Sequence, residues 1–305
     1  MDPLSTANVD FCLDVFKELN RHNVGENIFF SPLSLLYALS MVLLGARGNS
    51  AGQMEKVLHF NHIAESLKPE FKASAKCSQA GRIHSAFGVL FSQINQPDSN
   101  YTLSMANRLY GTKAMMFHQG KSVLVEMMYQ TGTYKLAFIK EPRMQILELP
   151  YVNHKLSMIV LLPAGTASLE QIEKQLNMKT FYEWTSSANM VEREVEVHIP
   201  RFKLEMKYEL NALLNSLGMT DVFNEIKADL SGISPAKGLH LSKVIHKSYV
   251  DVNEEGTEAA AATGDSFVVK RLPIRAQFMA NHPFLFFIRH IPTNMIVFCG
   301  KLASP

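Results

Sequence analysis

The sequence predicts a single domain of mixed α+β class, with helices gathered early and strands later. Three observations carry this reading. Apolar residues in the first sixty positions recur at helical spacing. From about residue 145 onward they alternate or run continuously, as strands require. No internal repeat, low-complexity linker or shift in composition divides the 305 residues. A chain of this length buries roughly three-quarters of the surface its unfolded form exposes, so one sizeable core is expected. Hydrophobic residues make up 47% and charged residues 19%, which excludes disorder. Thirty basic residues against 28 acidic ones give +2, without the basic stripe that nucleic-acid binding needs.

The elements follow in order. Phe11, Val15, Phe16 and Leu19 predict an amphipathic helix over 5–20, opening at Ser5. The 20 positions between Glu26 and Arg47 carry no charge, about the length that crosses a bilayer. Ser31 suits an N-cap and Pro32 the first helical position. The segment therefore divides into a strand at 28–30 and a helix at 33–46, too short to span and expected in the core. Gly48 to Gly52 reads as a loop and Gln53 to Phe60 as a helix. Residues 61–85 form a solvated, polar stretch with scattered Lys68, Lys72, Lys76 and Arg82. A strand is expected at 104–110, and paired strands at 145–150 and 156–162. Ser168 with Gln171 makes a capping box. Residues 191–206 alternate as one half-buried strand. Tyr208 to Leu217 reads as a helix ended by Gly218. Strands close the chain at 244–252, 284–288 and 295–298, the last two as continuous apolar runs.

Candidate chemistry is sparse. Cys12, Cys77 and Cys299 are odd in number and scattered, so they make neither a disulfide framework nor a zinc site. They read as free thiols in a reducing compartment. The N-terminus shows no positive n-region with an apolar run, hence no ordinary signal peptide. Gly48-Asn49-Ser50-Ala51-Gly52 matches a hydrolase nucleophile elbow, but that motif needs a preceding strand and a helix is expected here. Ser50 reads instead as a helix cap. His59 and His62 share a helical face without a third ligand at metal spacing. Asn100-Tyr101-Thr102 is a glycosylation sequon that matters only in a secreted chain. No catalytic residue, cofactor or metal site is expected.

The unusual stretch lies between 254 and 275. Glu254-Glu255-Gly256-Thr257-Glu258 leads into Ala259-Ala260-Ala261-Ala262, then Thr263-Gly264-Asp265-Ser266 and Phe267-Val268-Val269-Lys270-Arg271. The plain reading is a surface loop. As a strand, the segment would place Thr257, Ala259, Ala261 and Thr263 on one small, uncharged face that buries easily, with Asp265 burying badly at its end. Lys270-Arg271 offers a site to a trypsin-like protease, whose specificity pocket holds a carboxylate.

With its flanks, this stretch resembles the serpin family, in particular the intracellular, ovalbumin-type clade. The resemblance covers nearly the whole chain. It rests on Asn27-Ile28-Phe29-Phe30-Ser31-Pro32-Leu33-Ser34, on Leu147-Glu148-Leu149-Pro150-Tyr151 and on Ile199-Pro200-Arg201-Phe202-Lys203. Leu217-Gly218-Met219-Thr220-Asp221 and Gly256-Thr257-Glu258-Ala259-Ala260 add to it. So does Asn281-His282-Pro283-Phe284-Leu285-Phe286-Phe287-Ile288-Arg289, with Asn281 where Asp is usual. The resemblance implies a serpin-like fold, helices packed on mixed and antiparallel sheets, as one domain over 1–305. It implies a reactive loop over 254–277, a hinge of Glu255, Gly256, Thr257, Glu258, Ala259, Ala260, Ala261 and Ala262, and a shutter of Ser31, Ser34 and His246. Counting Gly256 as the fifteenth residue before the cleaved bond makes Lys270 the bait, followed by Arg271. Arg271 is the alternative bait. A trypsin-like serine protease would acylate there and be carried along as the loop inserts into a sheet as a new strand.

One departure weighs against that activity. After Phe117-His118-Gln119, Gly120-Lys121-Ser122 passes directly to Val123 to Met128, which resembles a later strand of a different sheet. The family has there a central strand, which would also supply a shutter partner for His246, and adjoining helices. A block is therefore expected to be missing near 118–123, as a splice variant or gene-model product. The single Trp184 fits this, because the family's tryptophan at the end of that strand would go with the block. Loss of the strand should expose apolar surface and unpaired backbone on its neighbours. The resulting expectation is a serpin-type inhibitor with the bait bond Lys270-Arg271, or else a non-inhibitory serpin-derived variant. The chain is expected to be monomeric, to bind neither nucleic acid nor membrane, and to be cytoplasmic, with release lacking a cleaved signal peptide kept open.

Overall fold

The computed structural model describes residues 2–61, 63, 75–94, 125–151, 154–235, 237–253 and 275–304. The chain opens with helix α1 (Pro3–His22), strand β1 (Ile28–Phe30), and helices α2 (Pro32–Gly45), α3 (Gly48–Val57) and α4 (Ala75–Ile94). Strands β2 (Met127–Ile139), β3 (Met144–Pro150) and β4 (Leu156–Pro163) follow, then short helices α5 (Leu169–Gln175) and α6 (Met178–Trp184). Next come β5 (Val191–Pro200), β6 (Phe202–Glu209), helix α7 (Asn211–Ser216) and β7 (Ile245–Val252). Strands β8 (Ala276–Met279), β9 (Phe284–His290) and β10 (Met295–Leu302) end the chain.

Eight strands form one sheet in the order β1-β10-β9-β4-β3-β2-β5-β8, antiparallel except for the parallel edge pair β5·β8. Strands β6 and β7 form a separate two-stranded antiparallel sheet. The apolar runs Met158 to Leu162 of β4 and Phe284 to Ile288 of β9 are continuous because both sheet faces are covered. Ile146, Ile159, Leu161, Leu285 and Phe287 face a core shared with the helices. Leu147, Leu149, Met158, Val160, Phe284, Phe286 and Ile288 face a second core, shared with β5 and β6. At Gly300 a Cβ would lie 2.3 Å from the Phe286 ring. Gly300 pairs with Phe29 on one side and Phe286 on the other, so only glycine lets those rings close over β10.

Helix α1 seats on β10 through polar side chains. Where the β9·β10 register shifts between Ile296 and Phe298, the Asn8 amide takes over the backbone's role: Oδ1 accepts from Ile296 N at 2.6 Å and Nδ2 donates to Ile296 O at 3.2 Å. Farther along, buried Lys301 reaches Asn20 Oδ1 at 2.6 Å and Glu173 Oε1 at 3.0 Å, joining β10, α1 and α5. Cys12 and Cys299 are buried free thiols, and burial, with Cys12 alongside, pushes the Cys299 thiol well up.

Several expectations are corrected. Helix α1 starts at Pro3 with Asp2 as N-cap, and Ser5 lies inside it, donating to Asn294 O at 3.2 Å. Gly48 to Gly52 is the first half of α3 rather than a loop, and Ser50 does not cap it. The N-cap is Arg47, and Ser50 Oγ accepts from Asp229 N at 3.0 Å. The alternation over 191–206 is two strands in different sheets, broken where Arg201 N turns aside to Glu126 O at 2.8 Å. The break escapes the pattern because the backbone is extended on both sides. Tyr208 and Glu209 belong to β6, leaving a helix only at Asn211–Ser216. Met127 opens a strand that runs on to Ile139. The capping box of Ser168 and Gln171 stands as expected, and Trp184 is buried at the end of α6. The strand expected at 104–110, the sequon, His62 and Cys77's side chain lie outside the described residues. His59 pairs with Asp14 at 2.7 Å.

Candidate functional site

The site forms where β1 meets the two-stranded sheet. Strand β1 is three residues long and pairs through its backbone with β10. Its remaining backbone groups are met by side chains of β6 and β7. Phe29 O accepts from Ser248 Oγ at 2.7 Å, and Phe29 N donates to Tyr208 OH at 3.3 Å. Ser31 N donates to His246 Nε2 at 2.9 Å. Period-two alternation places His246 and Ser248 on one face of β7, and Tyr208 sits directly opposite His246 on β6.

Ser31 ends β1 and starts α2. Its hydroxyl donates to Val297 O at 2.8 Å and accepts the cap bond from Ser34 N at 3.2 Å. One residue thus ties β7, β10 and α2 together. Because His246 Nε2 accepts, its proton sits on Nδ1 and the ring is neutral. Burial holds this histidine down at about 4, and burial pushes the Tyr208 hydroxyl up to about 12. The residues expected as a shutter therefore do meet: Ser31 touches His246 directly, and Ser34 joins through its backbone N–H. Tyr208 and Ser248 were missed. Their signal was two polar residues alternating on the inward face of β7, His246 and Ser248, which a purely apolar face would not carry.

The segment 254–274 joins β7 to β8, and thus one sheet to the edge of the other. The hinge residues Glu255 to Ala262, Asp265 and the pair Lys270-Arg271 lie outside the described residues. Strand β7 pairs with β6 and, among the described residues, with no strand on its second edge. Of the apolar surface expected there, β7 presents the exposed Tyr249 ring between charged neighbours. Its outward side chains include Lys247, paired with Glu205, and Asp251, 2.9 Å from Lys203. Val250 and Val252 turn inward and are half-buried. No helix among the described residues is long and apolar enough to cross a membrane. No group of three or more His, Cys, Asp or Glu among them could hold a metal ion.

Comparison with known proteins decides the family. The model of the serpin family, described as serine protease inhibitor, matches residues 6–120 and 112–305. The chain is a serpin. Human Serpin B11 is 61% identical over an alignment of 392 positions that spans all of both chains. Because this serpin has 305 residues, at least 87 positions of that alignment face a gap in it. Leukocyte elastase inhibitor from horse is 36% identical, again over the whole of both chains. Among solved structures, uncleaved ovalbumin superposes with a TM-score of 0.80 at 30% identity, covering 99% of this serpin and all of ovalbumin. The fold is the mixed α+β serpin fold, in the ovalbumin-type clade. Serpins are protease inhibitors rather than enzymes, and Ser50, buried in α3, has its hydroxyl bonded to the Asp229 amide.

Proposed function

We propose that this serpin presents Lys270-Arg271 as bait to a trypsin-like serine protease, with Glu255 to Ala262 as the hinge of its reactive loop. The observation that carries this reading is the loop's place in the chain: a small-residue hinge and a dibasic bond fall within the segment that leaves β7 and returns at β8. A hinge of Thr257, Ala259 and Ala261 buries without steric demand, so cleavage would let it add to β7 as a neighbouring strand. Acylation at Lys270 would carry the enzyme along before it deacylates. The serpin supplies no catalytic group. It acts as a monomeric domain over 1–305 in the cytoplasm.

A second reading is favoured by one observation. Among the described residues the sheet that would receive the loop has two strands, and β7 has no partner on its second edge. A block absent near 118–123 accounts for this. Its support is the family match in two segments that meet at 112–120, and the gap in the alignment with the human relative. An inserted loop would then pair on one side only, and the energy for distorting a protease would be small. Such a variant would be cut as a substrate.

Trypsin tests both. An SDS-stable complex with cleavage after Lys270 supports the inhibitor. Clean cleavage after Lys270 with no complex supports the substrate. Lys270→Ala distinguishes bait from bystander, since it should abolish whichever outcome is seen unless Arg271 is the true bait.

A further inference from the structure

The loop's return point is built from unusually little backbone. Strand β8 is four residues long and, among the described residues, lies at the sheet edge, pairing with β5 alone and in parallel. A strand so short, in the weaker pairing geometry, opens readily. Side chains reinforce it. Arg275, directly before β8, bridges two glutamates of β5: Nε lies 3.5 Å from Glu194 and Nη1 lies 3.9 Å from Glu196. These glutamates are two apart in a strand and so share a face. Their cross-strand neighbours on β2, Thr133 and Thr131, are uncharged. From β3, which is not a neighbour of β8 in the sheet, Gln145 Nε2 donates to Gln277 O at 3.1 Å. Beyond β8, Ala280 N donates to His198 O at 2.8 Å.

We propose that Arg275, seated across Glu194 and Glu196 and seconded by Gln145, is a positioning residue that latches β8 to β5 and so fixes where the reactive loop re-enters the body. The functional half rests on the loop reading above. Only four residues, Arg271 to Ile274, separate Lys270 from Arg275 in the sequence, so freedom gained at Arg275 would be passed to the bait bond. With the latch released, β8 frays, the bond samples more positions, and a protease must select the productive one. That cost falls on KM more than on kcat.

Hydrogen exchange by mass spectrometry on the whole protein tests the latch without using the bait. Peptides covering 276–279 should exchange up to about fivefold faster in Arg275→Gln and in the double variant Glu194→Gln/Glu196→Gln, the upper end of the range expected for exposed ion pairs. Arg275→Lys should restore most of the protection. Combining Arg275→Gln with the double variant should add nothing, since both remove one interaction. Unchanged exchange in Arg275→Gln, or additive effects, would overturn the latch. Trypsin cleavage after Lys270 should then show a raised KM in Arg275→Gln at unchanged kcat. Faster exchange with KM unmoved would overturn the positioning role. If the parent protein is not cut after Lys270 or Arg271, the bait reading fails while the exchange result still decides the latch.

Discussion

The two sheets hold together by different physics. In the larger sheet, β3, β4, β9 and β10 pair on both sides, and their side chains fill two apolar cores. The small sheet has one internal backbone ladder, and it meets β1 through His246, Ser248 and Tyr208 rather than through a strand pairing. Burial is non-directional and tolerates rearrangement, whereas hydrogen bonds fix a geometry and cost dearly when one partner is lost. The region that the proposed loop insertion would rearrange is thus the one held by a few directional contacts. The region it must keep is held by area.

The largest effects should come from the larger sheet. Phe286→Ala removes a ring buried against Phe29, Phe202 and Phe284, and should cost about 3–5 kcal/mol in equilibrium urea unfolding. Lys301→Met should cost a similar amount, about 3–5 kcal/mol, because it strands Glu173 in a site shared with Asn20. A loss under about 1 kcal/mol in both would mean that this sheet is less committed than its burial indicates.

The small sheet should respond to acid. His246 ionises at about 4 in the folded protein and at 6.5 unfolded, because burial disfavours its charged form. The unfolded chain therefore binds the proton first. The stability is fully present above pH 6.5 and is lost as pH falls toward 4, by roughly 3 kcal/mol in all. His290, held at about 4 chiefly by burial, adds to the same window. His246→Gln keeps an acceptor for Ser31 N without a titrating ring, and should flatten the stability profile between pH 4 and 6.5 by about half. An unchanged profile would remove His246 from the account. His246→Ala leaves Ser31 N unpaired in a buried site and should cost about 1–3 kcal/mol at neutral pH.

The same contrast explains what could be read in the sequence. Strands β3, β4, β9 and β10 were legible because burial on both faces forces apolar runs. Strand β2 was not, since its first half is partly exposed and carries Gln130, Thr131, Gly132 and Thr133. The division between β5 and β6 was hidden because alternation continues through Arg201. At the site, the serpin motif pointed to Ser31, Ser34 and His246. Ser248 left a trace as a polar residue alternating with His246, but Tyr208 accepts from Phe29 N, and a backbone partner leaves no mark in a side-chain pattern.

The smallest effect on stability should come from the outer face of β7, where the comparison is sharpest. Lys247 is exposed and paired with exposed Glu205, so Lys247→Val should change unfolding stability by no more than about 0.5 kcal/mol. Its effect should appear instead in solution behaviour. A charged lysine on β7, whose second edge has no partner among the described residues, discourages pairing with another chain, and valine both removes that charge and favours the extended backbone. Light scattering should therefore show association rising with concentration in Lys247→Val at unchanged melting. The same substitution at Lys135 of β2, which lies between Glu148 of β3 and Glu192 of β5, should not, because β2 has no free edge there to offer. Equal behaviour of the two variants would mean that the second edge of β7 is not open to a partner. The substrate reading, which rests on that open edge, would fall with it.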